Sequence, residues 1–187
     1  MGVYFHVTRM QDDQRLILKA RKKAHNYDRY SGCSQSVLGS LQETLNIGDG
    51  ESFKAATVLS GGVARCGETC GALLGALMAL GLVVGRERIE DTEQYRKAME
   101  PARDVCERFK EALRVEFGFE GELRSTLCRD IQERIYGRSF DLNEAEDYRA
   151  FIAAGGHSDV GCLKVCGIAA QVGAEKILEI MSGQQQG

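Results

Sequence analysis

Between Gly71 and Gly85 the chain reads GALLGALMALGLVVG, with no charge and a small residue every few positions. A helix built from this segment has no face to offer water and must be covered all round. Two environments can do that, the centre of a helical bundle or a bilayer. A bilayer span takes about 20 apolar residues, and this run stops short of that between Glu68 and Arg86. The segment is therefore expected to be a buried, small-residue helix over about 69–84 that lets neighbouring helices approach closely. No membrane insertion is expected.

The remainder of the chain reads as helix too. One proline, Pro101, no tryptophan, and no alternating runs of β-branched and aromatic residues point away from sheet. Ile17, Ala20, Ala24 and Tyr27 mark a first helix that stops near YSGC. A second starts at Ser31 and puts Cys33, Val37, Leu41 and Leu45 on one face. A short third covers SFKAATVLS. A long fifth runs from Thr92 to Phe117, where Pro101 should kink or divide it. A sixth starts at Ser125, a seventh spans NEAEDYRAFIAA, and the last runs from Cys162 to Met181. The expected fold is all-α, a single-domain helical bundle of about six to eight helices over residues 1–182, with a disordered tail at 183–187.

With 187 residues, of which 43% are hydrophobic and 27% charged, the chain can bury a core without staples. Its 24 basic residues against 27 acidic ones, a formal charge of −3, offer no cationic excess for phosphates and argue against a nucleic-acid partner. The start MGVYFHVTRMQDDQ has no basic stretch followed by an apolar one, so no secretory signal is expected. A reducing cytoplasm is the expected location. There, clustered cysteines serve metal binding or redox chemistry more often than structural disulfides.

Seven cysteines stand at 33, 66, 70, 106, 128, 162 and 166. Cys33, Cys70, Cys128 and Cys162 each fall in the first turn of an expected helix, where unpaired amides and the helix dipole favour a thiolate. On the last helix, Cys162 and Cys166 both lie opposite the polar stripe of Lys164, Gln171, Glu175 and Glu179, so both thiols should face inward. Their Cβ atoms would be about 5–6 Å apart, which suits one shared metal better than a disulfide. In the looser Cys66/Cys70 pair, Gly67 leaves a disulfide feasible. Cys106, in the middle of an apolar stripe, reads as core filler. His157, in the glycine-rich turn before Cys162, is open to three roles: ligand, base or exposed loop residue, with exposure favoured. Arg65 and Glu68 read as a solvated helix entrance. No C-x-x-C-H, no radical-SAM spacing, no G-x-S-x-G and no phosphate-binding glycine loop occurs.

GCSQSVLGSL near the start, LSGGVARCGETCGALLGALMALGL in the middle, the single Cys128, and CLKVCGIAAQ at the end resemble the redox-active family named for its C…GCAxxG…C…C pattern, over about Ser31 to Ala174. The central stretch departs from the literal motif, reading Thr69-Cys70-Gly71-Ala72-Leu73-Leu74-Gly75. Carried over by position, the resemblance implies Cys33, Cys70, Cys128 and, of the last pair, Cys166 as the family cysteines, with Cys66, Cys106 and Cys162 additional. It further implies that the four belong together. In an all-helical domain they are expected to converge at an end of the bundle, in one electropositive pocket.

The expected function is that of a redox-active or electron-transfer protein. In one mechanism Cys33, Cys70, Cys128 and Cys166, joined by Cys162, hold an iron–sulfur cluster or zinc. In the other, Cys70, Cys66 and Cys166 supply the attacking and resolving thiols of a disulfide exchange. The partner would be a redox protein or a small electron donor or acceptor, and leftover apolar faces leave room for a homodimer. The competing expectation is a helical interaction or assembly module whose cysteines mainly fill the core.

Overall fold

The computed structural model describes the backbone of residues 2–184 and the side chains of residues 10–183. Among the described residues there are eight α-helices, two short 3-10 turns and no strand: α1 (Gly2–Tyr27), α2 (Cys33–Leu45), α3 (Gly50–Ala55), α4 (Gly71–Val84), α5 (Thr92–Phe117), α6 (Cys128–Tyr136), α7 (Ala145–Ala153) and α8 (Cys162–Gln184). The fold is all-α, and no helix among these residues is long and apolar enough to cross a membrane.

The expected elements are present, with four adjustments. Pro101 lies inside α5 without dividing it. The face carrying Val105, Phe109 and Leu113 is fully buried against α4 and α8, and that burial outweighs the roughly 3 kcal/mol a mid-helix proline costs. The sixth helix begins at Cys128, three residues after Ser125, whose hydroxyl instead accepts the Leu127 amide at 3.1 Å in the approach to the helix. At the chain's end, Gly183 and Gln184 belong to α8 and not to a tail; the rest of the expected tail lies outside the described residues. Lastly, α4 is not covered all round: Gly81 and Leu82 reach the surface. The centre is shared with α8, which packs on α1, α2, α4 and α5 and buries Leu163, Cys166, Ile168, Ala170, Ala174 and Ile177.

Glycine sets how closely α2 and α4 meet. A Cβ on Gly71 would stand 2.5 Å from the Cys33 sulfur and 2.8 Å from the Leu59 carbonyl oxygen, and one on Gly75 would fall on the carbonyl oxygen of Ser34. The two helices thus touch backbone to backbone where their cysteines lie. The buried serines of α2 find partners. Ser34 donates to the Ala56 carbonyl at 2.7 Å and shares a hydrogen bond with Ser60 at 2.8 Å, while Ser40 donates to Val37 at 2.8 Å.

A second, smaller apolar cluster of Phe140, Leu142 and Phe151 lies beside the main core. Its rings meet edge to face, with Tyr136 5.7 Å and Phe140 5.8 Å from Phe151 between centroids.

Alanine in place of a helical glycine ordinarily stabilises by about 1 kcal/mol. Gly81→Ala, which meets nothing within 4 Å, is expected to show that gain in urea unfolding. Gly75→Ala is expected to lose roughly 1–3 kcal/mol through overpacking against α2.

Candidate functional site

Four helices start on or directly after a cysteine. Gly32, at φ 104°, turns the chain through the left-handed region so that α2 opens on Cys33; Cys70 is the residue that caps α4; Cys128 opens α6 and Cys162 opens α8. The starts of α4 and α6 are tied directly to each other. The Cys70 amide donates to the Thr126 carbonyl at 2.8 Å and the Cys128 amide to the Glu68 carbonyl at 2.6 Å, around an isolated antiparallel bridge between Thr69 and Leu127. Arg129 closes the outside with an ion pair to Glu68 at 2.8 Å.

As a result, Cys33, Cys70, Cys128, Cys162 and Cys166 line a single cavity of about 60 Å³. Cys162 and Cys166 both turn their thiols inward, as their helical spacing predicts. Gln132 donates to the Cys128 sulfur at 3.6 Å, and the Tyr136 hydroxyl lies 3.6 Å from that of Cys162. All seven cysteines are free thiols.

Two cysteines stay outside. Cys106 is half-buried on α5, at the edge of the main core. Cys66 is exposed, its thiol directed at the Ala64 carbonyl at 3.7 Å. Its exclusion corrects the expectation that it adjoins the site, and the reason is local backbone. Gly61, Gly62, Val63, Ala64 and Arg65 all have positive φ, a left-handed run that turns Cys66 outward before Gly67, at φ 72°, brings the chain back to Cys70. Left-handed backbone costs roughly 1–2 kcal/mol for each non-glycine residue. The amides of Val63, Ala64 and Arg65 are held by the carbonyls of Leu59, Val58 and Ser60 at 3.2, 2.8 and 3.0 Å, and the Asn143 side chain donates to the Arg65 carbonyl at 3.3 Å.

The cavity also holds a carboxylate. Asp28, just past the end of α1, is fully buried and lines the cavity with His157. Its Oδ2 is 3.2 Å from His157 Nδ1, while its Oδ1 has no hydrogen-bond partner among the described residues. His157, expected to be an exposed loop residue, keeps only 20% of its side chain exposed and sets its ring edge-on to Phe151. Arg65 is likewise more than a helix entrance: its guanidinium lies 5.4 Å from the centre of the Tyr148 ring, at the cavity wall. Asp28 was missed by sequence reasoning, although Ala20, Ala24 and Asp28 follow one another at four-residue spacing and so share one buried face.

Residues 31–176 match the family described as "Putative redox-active protein (C_GCAxxG_C_C)". The chain belongs to this family. A search of curated proteins and a search of solved structures each returned no match. In this member of the family, Cys162 stands on the cavity together with Cys33, Cys70, Cys128 and Cys166, so five cysteines share the site rather than four. Among the described residues, no group of three or more His, Cys, Asp or Glu side chains stands in a ready-made metal-binding arrangement.

The pocket differs from the electropositive one expected at converging helix starts. Burial pushes the Cys33 thiol up to about 12, helped by Cys70 and Asp28 nearby. Burial likewise raises Cys70, against the downward pull of the Leu73 and Ala72 amides at the start of α4. Cys128, Cys162 and Cys166 are driven well above the ordinary range by burial first, and Asp28 adds to the shift of the last two. The magnitudes decide the sign. A helix N-terminus stabilises an anion by about 0.3–1 kcal/mol, whereas desolvation in a closed site shifts pKa by up to 3–5 units.

The metal-free folded protein should therefore show one fast-reacting thiol at neutral pH, Cys66, with the five cavity thiols slow, as read by alkylation and mass spectrometry. Unfolded thiols ionise near their ordinary 9 while Cys33 stays protonated to about 12. The stability this contributes is present below 9 and lost as pH rises from 9 toward 12. Equilibrium unfolding across that window is expected to show the loss.

Proposed function

We propose that this protein carries electrons on a thiolate-bound iron centre in its cysteine cavity, with Cys33, Cys70, Cys128 and Cys166 as principal ligands and Cys162 beside them. The observation that carries this reading is the convergence of five cysteines from four helix starts on one enclosed cavity. The donor set fits: thiolate sulfur suits iron–sulfur clusters and zinc alike. A buried carboxylate oxygen without a partner among the described residues lies among the same five thiols, a further donor that a bound cation would satisfy.

The iron centre would supply one-electron chemistry. The chain's own residues do the rest. Ligand thiols give up their protons to bind, so uptake is pH-dependent, and they turn toward the cavity centre as they do so. The amides of Ala72 and Leu73 at the start of α4 favour negative charge on Cys70. Gln132 and Tyr136 each reach a cysteine sulfur and temper its charge. The aromatic wall around Phe151 limits water. The reading includes a reducing compartment such as the cytoplasm and a redox protein or small electron carrier as partner.

Thiol–disulfide exchange is the second reading, favoured by the exposed Cys66 four residues before Cys70. The protonated state of the buried thiols weighs against it, since the thiolate is the nucleophile.

Anaerobic purification from iron-replete cells is expected to yield coloured, iron-containing protein. Serine at position 33, 70, 128 or 166 should cut iron content and visible absorption, while Cys66→Ser and Cys106→Ser leave both unchanged. A colourless sample that takes up no iron on reconstitution, and whose Cys70 forms a disulfide with Cys66, would replace the metal reading by the exchange reading.

A further inference from the structure

Asp28 is not a cysteine and lies before the stretch that matches the family, yet it is among the most deeply enclosed groups of the cavity. Its side chain is inaccessible to solvent, and an isolated buried carboxylate is costly unless paired. His157 meets only one of its oxygens. It does so from the ring edge, through Nδ1 at 3.2 Å, with the ring held against Phe151 at 5.4 Å between centroids. The other oxygen, Oδ1, is bonded to nothing among the described residues.

Arg29 and His25 are engaged with Asp159, at 2.8 and 2.7 Å. Arg65, which also lines the cavity, is engaged with Tyr148 and with the Leu142 carbonyl at 3.3 Å. The carboxylate's charge is instead felt by the thiols Cys33, Cys70, Cys162 and Cys166.

We infer that Asp28 is an oxygen ligand of the metal in this cavity, with His157 a positioning residue that holds one carboxylate oxygen so that the other faces the ion. The inference rests on the metal reading of the site and goes beyond it. It makes the ligand set mixed sulfur and oxygen, in a protein whose family pattern names cysteines alone. A mixed set suits a borderline divalent ion, because carboxylate is the harder donor and thiolate the softer. The geometry is the reverse of the usual arrangement in which a carboxylate steadies a ligating histidine: here the imidazole steadies the carboxylate.

The test uses the full chain, stripped of metal and handled without oxygen. Zn(II)-loaded wild-type protein is examined by X-ray absorption, which reads ligand type without any substitution. The expected shell contains sulfur at about 2.3 Å and an oxygen at about 2.0–2.2 Å. Affinity is then measured by Zn(II) competition against a chromophoric chelator, with Co(II) absorption reporting thiolate bonds. Asp28→Asn is expected to keep the sulfur-to-cobalt bands and lose affinity about 10- to 100-fold, and His157→Gln to lose less. Metal-free Asp28→Asn should be at least as stable to urea as metal-free wild type, since the amide keeps an oxygen for His157 and carries no carboxylate into the buried site; a merely structural role predicts the opposite. A shell of sulfur alone, or Asp28→Asn binding Zn(II) as tightly as wild type or more tightly, overturns this inference and leaves the metal reading standing. Wild-type protein that binds neither ion overturns this inference, and if it also takes up no iron on reconstitution the metal reading falls with it.

Discussion

The site depends on the close approach of α2 to α4. Two helices normally keep their axes 8–10 Å apart because side chains stand between them. At Gly75 there is none on α4 and its backbone meets that of α2 at Ser34, while at Gly71 the missing side chain leaves room for the Cys33 sulfur. That contact places the Cys33 sulfur over the start of α4, where Cys70 lies. A methyl group on Gly71 would occupy the space that sulfur now takes. The same small-residue character that forces α4 into the interior thus also decides what else can be there.

Cys128 is brought in by another kind of constraint. Ile131 and Ile135 seat α6 on the main core, and a short backbone bridge around Thr69 and Leu127 ties its start to that of α4. Next to it, the left-handed run from Gly61 to Arg65 stores strain where the chain passes the cavity wall. Strained backbone survives only where its surroundings over-determine it, and here the carbonyls of Val58, Leu59 and Ser60 hold the three amides in turn. The strain separates Cys66 from Cys70: four residues apart in sequence, they end on opposite sides of the wall, one exposed and one buried.

Two opposed tendencies meet in the cavity. Helix starts invite negative charge, and four of them converge. Enclosure and Asp28 oppose it more strongly, which holds the thiols protonated in the absence of a cation. Such a site is poorly suited to open thiol chemistry, because the reactive thiolate is the form that enclosure disfavours. Belonging to a family described as redox-active says which class of chemistry is at stake; what the fold adds is a buried carboxylate among the thiols.

By itself the sequence determined the helices and where most of them begin. Charge-free and amphipathic stretches have a period that is legible in one dimension, and so does the placement of Cys33, Cys70, Cys128 and Cys162 at helix starts. The inward aim of Cys162 and Cys166 followed from angles within a single helix. What lay beyond its reach was every relation between helices. Asp28 was one of 27 acidic residues until the fold closed over it, His157 was one more loop residue until it met Asp28, and Cys66 was the near neighbour of Cys70 until the backbone turned left-handed. Periodicity specifies which face of an element is buried and is silent on what that face will touch; only the packing of α1, α2, α4, α6 and α8 around a common point made five separate thiols and a carboxylate into one site.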